Sequence, residues 1–250
     1  MREFQITLAG QAVGIRSLYD EVFHLCQDYL SEGQEVSFRI ETTPEDIRFE
    51  QEKSIREATL EGTPAILYPD PYLETLAVYR KIAVRMPEFD TWLMHGSAVA
   101  VGQEAFLFTA ASGTGKTTHT RLWLEQIPGA YVVNGDKPLL RMKNGLCEVC
   151  GTPWSGKENM NRNVTVPLRA ICFLYRGTEN RIEEISFRDA APFLLQQSFR
   201  SSEPFVMQKT MMLVKRLGNC VRFYRLFCNM EPEAALVSWN GMRPGSDSSS

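Results

Sequence analysis

The sequence predicts an α/β domain over residues 91–242, preceded by a small α+β module over residues 1–90. From Trp92 onward, two apolar strands, a glycine-rich turn, a helix and another strand follow in that order, which is typical of an α/β core. Before that point, strand and helix patterns occur without a chemical motif. The 250 residues suffice for one large domain with a small appendage.

The first module is predicted from two kinds of apolar spacing. Residues 4–8 and 36–40 alternate apolar and polar side chains, as half-buried strands do. Residues 18–30 and 72–86 carry apolar side chains three and four positions apart, which predicts two helices, and Pro87 ends the second. These patterns indicate packing rather than a site.

The second domain begins with apolar runs at residues 93–101 and 105–109, which predict two strands joined by a short turn. A helix over 116–126 follows, ended by a Pro-Gly pair, and residues 130–134 predict a buried strand. The remaining predicted elements are a polar loop over 151–163, a strand over 170–175, helices over 187–199 and 203–217, a strand over 220–227, a helix from residue 232 and a disordered tail over 243–250.

Charge and hydropathy exclude several classes of function. The net charge of −3 argues against a broad electrostatic surface for nucleic acid, so no nucleic-acid partner is expected. No segment reaches about 18 uninterrupted apolar residues, and the amino terminus lacks the apolar run of a signal peptide. We therefore expect a cytoplasmic protein without a membrane partner.

The six cysteines are scattered, and we expect free thiols because a chain of this length folds without disulfides. Cys147 and Cys150 form a lone C-x-x-C pattern with no second pair or nearby histidine, so the ligand set of a structural zinc site is missing. On the strand that we expect here, the two side chains point to opposite faces. This pattern predicts ordinary structural cysteines.

A phosphate-binding motif (Walker A) lies between the predicted strand 105–109 and the predicted helix 116–126. Residues 110–117 match G-x-x-x-x-G-K-[ST], except that Ala110 stands at the first glycine. Glycines let the backbone present successive N–H groups to phosphate, and the helix N-terminus adds partial positive charge. A chance match in an unrelated loop is the alternative, and the strand–helix context argues against it. The predicted phosphate-binding residues are Ser112, Gly113, Thr114, Gly115, Lys116, Thr117 and Thr118.

The motif predicts ATP and Mg²⁺ as ligands. Lys116 is placed to reach the β- and γ-phosphates, and the Thr117 hydroxyl stands where Mg²⁺ usually binds. Asp136 follows the apolar strand 130–134, and its carboxylate either binds Mg²⁺ or accepts a proton from an acceptor hydroxyl. The alternative for Asp136 is an ordinary turn residue in Asn-Gly-Asp. ATP is the default nucleotide, since the usual guanine-reading Asn-Lys-x-Asp run is absent.

The order of three motifs resembles the superfamily of HPr kinase/phosphorylase and ATP-dependent phosphoenolpyruvate carboxykinase. Met-His-Gly-Ser-Ala at residues 94–98 precedes the glycine-rich loop, and Gly135-Asp136 follows it. The resemblance covers residues 93–176 and implies a P-loop kinase core with a mixed sheet like that of phosphoenolpyruvate carboxykinase. It also implies that His95 and Asp136 help to bind the catalytic metal, and that the chain forms a homo-oligomer. HPr kinase has an Asp-Asp pair at the turn, whereas this sequence has Gly135 at the first position.

Two histidines near the motif have different interpretations. A lone histidine entering an apolar strand, such as His95, is often a satisfied core residue. The resemblance instead implies that His95 acts in the active site, beside the metal or in an acid–base relay. His119 directly follows the motif on the predicted helix, and we expect it to pack or cap rather than to catalyse.

The polar loop at residues 151–163 combines glycines with Lys157, Glu158 and Arg162. Such a loop is suited to fold over a phosphate or an acceptor, with Glu158 as a further metal partner and Lys157 or Arg162 stabilising the transferred charge. A solvated connection between two strands is an equal alternative.

These observations predict an ATP- and Mg²⁺-dependent kinase with Lys116, Asp136 and His95 as catalytic residues. The acceptor is a hydroxyl group, either a serine of a protein or peptide or part of a small molecule. The alternative is a nucleotide-binding regulatory or assembly protein with little turnover. Gly135 favours that alternative, because the second acid of the turn is missing.

Overall fold

The structure is a computed structural model that describes residues 1–111 and 113–243. It divides into two compact units, Met1–Arg85 and a second unit that begins at Met86. The sequence predicts this boundary at residues 90 and 91. The 3₁₀ turn Met86–Phe89 belongs to the second unit because it packs against the first strand of that unit. The predicted phosphate-binding residue Ser112 and the predicted tail beyond residue 243 lie outside the described residues.

The first unit combines a three-stranded sheet with helices. β1 and β2 are antiparallel, whereas β2 and β3 are parallel. Ile6, Val13 and Ile15 are buried on one face of this sheet, so the period-two pattern of the sequence marks its core side. In chain order the elements are β1 Arg2–Leu8, β2 Gln11–Ser17, α1 Glu21–Leu25, β3 Phe38–Glu41, α2 Pro44–Glu61 and α3 Asp70–Arg85.

Two helices of this unit differ from the sequence prediction. The predicted helix 18–30 is wrong, since only the short α1 and a 3₁₀ turn at Gln27–Tyr29 form there. α2 was not predicted, because its sequence is largely polar and it buries few side chains. Thr43 begins α2 with a capping box, in which its backbone N–H donates to the Asp46 carboxylate at 3.0 Å.

A buried carboxylate ties α3 to the loops of the first unit. The Glu74 side chain is fully buried, and it accepts hydrogen bonds from the backbone N–H groups of Leu18, at 2.6 Å, and Tyr19, at 2.9 Å. The Thr42 hydroxyl donates to the same carboxylate. Three donors therefore compensate the loss of water around this buried charge.

The second unit has a mixed sheet between two helical layers. Side chains of α5 and α6 pack on one face of the sheet, and those of α4 and α7 pack on the other. In chain order its elements are β4 Thr91–Leu93, β5 Ser97–Val101, β6 Glu104–Thr109, α4 Lys116–Gln126, β7 Ala130–Asn134, β8 Leu139–Lys143, β9 Leu146–Cys150, β10 Thr165–Arg176, β11 Arg181–Ile185, α5 Phe187–Gln197, α6 Pro204–Leu217, β12 Arg222–Cys228 and α7 Glu233–Met242. The predicted mixed α/β architecture is confirmed.

The strand order places the glycine-rich loop at the centre of the sheet. Among the described residues the order is β4-β8-β9-β10-β6-β5-β7, with β12 paired to β10 and β11 paired to β12. β6 runs parallel to β10, and Thr109 at its end pairs with Phe173. β10 continues three residues further, to Arg176. The loop after β6 therefore lies beside the carboxyl end of β10.

The predicted strand 93–101 is interrupted, which is a correction to the sequence prediction. β4 ends at Leu93 and β5 begins at Ser97, so His95 lies in the break. The end of α5 and the chain after it pair with this break. The His95 N–H donates to the Gln197 carbonyl at 2.7 Å, and the Phe199 N–H donates to the Leu93 carbonyl at 2.8 Å. Apolar composition alone does not reveal this break, because the residues on both sides are buried.

The cysteine prediction agrees with the structure. All six thiols are free, and Cys147 and Cys150 are buried on β9. Within residues 1–111 and 113–243, no group of three or more His, Cys, Asp or Glu side chains is placed to hold a metal ion. Over the same residues, none of the helices is both long and apolar enough to cross a membrane.

We predict that Glu74→Gln destabilises the first unit by about 3 kcal/mol. The amide keeps the shape of the carboxylate but places an NH₂ group against donors that need an acceptor. Hydrogen exchange of residues 1–85 measures this change. All four tryptophans lie in the second unit, so tryptophan fluorescence does not report directly on the first unit. Glu57→Gln, at an exposed position of α2, is the matched control. Equal exchange in both variants would contradict the prediction.

Candidate functional site

Seven of the predicted site residues line one cavity of about 490 Å³ in the second unit. Four of them are His95 in the break before β5, Lys116 and Thr117 at the start of α4, and Asp136 in the turn after β7. The other three are Gly113, Gly115 and Glu158, whereas Thr114 lines a different cavity. The structure thus brings together residues from four segments that are far apart in the sequence.

The glycine-rich loop has the backbone conformation that its glycines allow. Gly113 and Gly115 have φ angles of +72° and +117°, in the left-handed region that favours glycine. α4 begins directly afterwards, so its first N–H groups face the end of the loop. The Lys116 ammonium donates to the Ala110 carbonyl at 3.1 Å. This arrangement can bind an anion through backbone N–H groups and one lysine.

Burial and two neighbouring charges set the pKa of Lys116. Partial burial lowers the pKa of Lys116, the charge of Asp136 raises it, and the charge of Lys137 lowers it again, with a net lowering. The ammonium is therefore less well solvated than a surface lysine. An incoming anion compensates such a desolvated cation more effectively than water does.

Asp136 is held between two cationic or donor side chains. His95 Nε2 lies 3.1 Å from Asp136 Oδ1, and the Lys137 ammonium contacts Oδ2. Burial raises the pKa of Asp136, but the hydrogen bond from His95 and the charge of Lys137 outweigh it and lower the pKa to about 2. The carboxylate is thus ionised at neutral pH, and it orients the imidazole of His95.

A buried amide shapes the turn that carries Asp136. The Asn134 oxygen accepts from the N–H groups of Asp136, at 2.9 Å, and Lys137, at 2.6 Å. Its NH₂ group donates to the Thr152 carbonyl at 2.9 Å and to the Trp154 carbonyl at 3.3 Å. One fully buried side chain therefore joins the Asp136 turn to the loop that follows β9.

The loop at residues 151–163 has a buried first half and an exposed tip. Residues 151–155 are buried and residues 156–159 are exposed. At Gly151 a Cβ atom would lie 1.8 Å from the Arg162 carbonyl oxygen, so the two ends of the loop approach too closely for any side chain. The exposed tip lines the cavity through Gly156, Lys157 and Glu158. The geometry favours the cavity-facing interpretation of this loop over a purely solvated connection.

The charged residues of this loop have different surroundings. The Glu158 carboxylate lines the cavity but pairs with Arg121 of α4. Lys157 lines the same cavity. Arg162 instead lies over the Tyr131 ring, with its guanidinium carbon 4.7 Å from the ring centroid. The structure therefore leaves Arg162 out of the group that surrounds the cavity.

Two residues at the site, Arg176 and Lys137, were not predicted from the sequence, whereas a third, His119, was. Arg176 donates to the Gly113 carbonyl at 2.6 Å and was not predicted. Arg176 ends β10, which runs parallel to β6. Its place beside the loop therefore follows only from the strand pairing, which the sequence alone does not give. Lys137, beside Asp136, was also missed. His119 is buried against the Phe108 ring, and burial lowers its pKa to about 4, so its packing role is as predicted.

The oxygen donors that line the cavity are of the kind that binds Mg²⁺ together with substrate phosphates. Asp136 offers an ionised carboxylate, and the exposed Thr117 hydroxyl lines the same cavity. Mg²⁺ is commonly bound through one or two carboxylates together with substrate phosphates.

Comparison with known proteins gives remote structural similarity without a sequence match. No protein-family model matches the chain, and no curated protein sequence matches it. The solved structure of the HPr(Ser) kinase/phosphatase from Coxiella burnetii is similar over 59% of this chain and 90% of that chain, with 12% identity and a TM-score of 0.33. A TM-score of 0.33 is too low to assign a function to this chain. The roles of the site residues are therefore inferred from this chain alone.

We predict that Asn134→Ala destabilises the second unit by about 3–5 kcal/mol, because it leaves several buried donors and acceptors without a partner. Urea unfolding followed by tryptophan fluorescence measures this change. Hydrogen exchange of residues 151–163 should rise as well. Asn219→Ala, at an exposed position of the same unit, is the control and should change the free energy of unfolding by less than about 0.5 kcal/mol. A variant that matches this control would show that Asn134 does not hold the turn and the loop together.

The low pKa of Asp136 predicts a dependence of stability on pH. Its pKa of about 2 in the folded protein lies below the ordinary value of 3.8, so its ionisation stabilises the fold above about pH 4. This contribution, on the order of 2 kcal/mol, is lost as the pH falls from about 4 towards 2. Without added metal, the stability difference between wild type and Asp136→Asn should therefore shrink over this range in urea titrations. A constant difference would contradict the assignment.

Proposed function

We propose that this protein is an ATP- and Mg²⁺-dependent kinase that transfers the γ-phosphoryl group of ATP to a hydroxyl acceptor. One observation carries the proposal: a single cavity is lined both by Lys116 and Thr117 of the glycine-rich loop and by the His95–Asp136 pair. A phosphate-binding loop alone suits many nucleotide-binding proteins. A paired histidine and carboxylate beside it supplies the acid–base and metal-binding groups that phosphoryl transfer uses.

The glycine-rich loop would bind the phosphates of ATP. Its backbone N–H groups and the N-terminus of α4 favour negative charge, and Lys116 adds a desolvated cation. Thr117 and Asp136 are the residues that would hold Mg²⁺, which supplies positive charge to the phosphoryl oxygens when it is bound. For that contact the Asp136 carboxylate would exchange its pairing with Lys137.

His95 is the residue that we assign to the acceptor proton. A carboxylate with a pKa of about 2 is a weak base, which favours Asp136 as the group that orients the imidazole. The hydroxyl proton of the acceptor passes to His95 while the acceptor oxygen bonds to the γ-phosphorus. The bond from that phosphorus to the β–γ bridging oxygen breaks, and ADP leaves.

The exposed tip of the 151–163 loop would cover the bound substrates. Gly156 lies against Asp136, since a Cβ atom there would be 3.1 Å from the Asp136 Cβ, so the tip approaches the carboxylate closely. Lys157 and Glu158 sit on this tip and line the cavity. A serine of a protein or peptide, or the hydroxyl of a small molecule, would enter beneath it.

The test is phosphoryl transfer from γ-labelled ATP with Mg²⁺ to free serine, to an HPr-like protein and to peptides. We predict that Lys116→Ala lowers the rate by several powers of ten, because the lysine neutralises charge that develops during transfer. Asp136→Asn should also abolish labelling. Lys143→Ala, at an exposed position on β8, is the matched control and should keep the wild-type rate.

The outcomes separate the proposed kinase from a regulatory nucleotide-binding protein. Label on one acceptor class, lost in both site variants, supports the kinase and names its substrate. Near-full turnover in Lys116→Ala contradicts the mechanism. Nucleotide binding without transfer to any acceptor favours the regulatory alternative.

A further inference from the structure

A second cavity of about 270 Å³ lies on the other side of the glycine-rich loop. Ala110, Ala111 and Thr114 of the loop line it, whereas Gly113, Gly115 and Lys116 line the first cavity. The loop is therefore a wall that the two cavities share. A group bound in the second cavity lies next to whatever the loop holds in the first.

Aromatic rings form the floor of this second cavity. Phe173 on β10 is buried, and Phe193 on α5 packs against it with ring centroids 5.6 Å apart. Phe193 is 37% exposed, so much of its surface remains available. Tyr175 contributes a third ring to the lining. Such surfaces bind planar aromatic groups by stacking.

Two amides provide hydrogen-bonding capacity at the same place. Gln196 and Gln197 end α5 and line the cavity. In the part of the chain that the structure describes, neither side-chain amide forms a hydrogen bond. The backbone carbonyl of Gln197 accepts from the His95 N–H, which fixes the end of α5 beside the first cavity. Both side-chain amides therefore line the cavity with their hydrogen-bonding groups available to a ligand.

The charged and polar groups that line the second cavity indicate which base it would bind. Among the described residues, Arg176 is the one charged side chain that lines this cavity, and it already contacts the glycine-rich loop. Among the residues that the structure describes, no carboxylate lines this cavity to accept the N–H groups of guanine. A glutamine amide instead pairs with the donor and acceptor of adenine. The lining thus suits adenine, whose amino group at C6 donates and whose neighbouring ring nitrogen accepts.

We propose that the second cavity binds the adenine base of ATP, with Phe193 as the stacking residue and Gln196 as a residue that selects adenine. The proposal rests on the proposed function, because the base belongs to the nucleotide whose phosphates occupy the first cavity. It adds a specificity that the phosphate-binding motif does not contain, since that motif contacts phosphate alone.

The experiment compares the binding of Mg²⁺–ATP, Mg²⁺–GTP and Mg²⁺–tripolyphosphate by calorimetry. We predict that Phe193→Ala weakens ATP binding by about tenfold, from the loss of one stacking contact, and leaves tripolyphosphate binding unchanged. Gln196→Leu should reduce the preference for ATP over GTP by about tenfold. Phe205→Ala removes another exposed phenylalanine of the same unit and is the matched control, with wild-type affinity for all three probes.

The results distinguish failure of the base site from failure of the proposed kinase. If wild type binds ATP and tripolyphosphate but Phe193→Ala leaves ATP affinity unchanged, or weakens both probes equally, the base site is wrong and the proposed kinase stands. If wild type binds neither ATP nor tripolyphosphate, both proposals are overturned. An unchanged ATP-to-GTP ratio in Gln196→Leu removes the selecting role of that residue.

Discussion

The fully buried side-chain amide of Asn134 is the constraint on which one half of the candidate site depends. Its oxygen holds the turn that carries Asp136, and its NH₂ group holds the first half of the 151–163 loop. A buried amide costs free energy unless both its donors and its oxygen are paired, and here both are. Because these partners lie in two segments, the turn and the loop can take their positions only together.

The other half of the site depends on the position of β6 in the sheet. β6 lies between β5 and β10, so the loop after it is flanked by residues from both neighbouring strands and the segments beside them. One side holds the His95 break and the Asp136 turn, and the other holds the end of β10 and the end of α5. This placement explains why a single loop borders two cavities with different linings, one charged and one aromatic.

Much of this arrangement could be predicted from the sequence, but the parts that depend on distant pairing could not. The glycine-rich loop, α4 and Asp136 follow from local spacing, because their chemistry requires residues that are close in sequence. The break at His95 depends on pairing with the chain after α5, and Arg176 reaches Gly113 through the pairing of β10 with β6. α2 is polar along most of its length and gave no apolar period, although its capping box is visible in the sequence.

The balance of charge around the first cavity favours an anionic ligand. Each of its carboxylates has a cationic partner, since Lys137 contacts Asp136 and Arg121 contacts Glu158. Lys116 and Lys157 also line the cavity, and neither forms a salt bridge with any residue that the structure describes. The local charge is therefore positive in a chain whose net charge is −3. A cleft of this kind concentrates anions from solution, and the phosphates of the proposed nucleotide would supply a counter-charge for its two lysines.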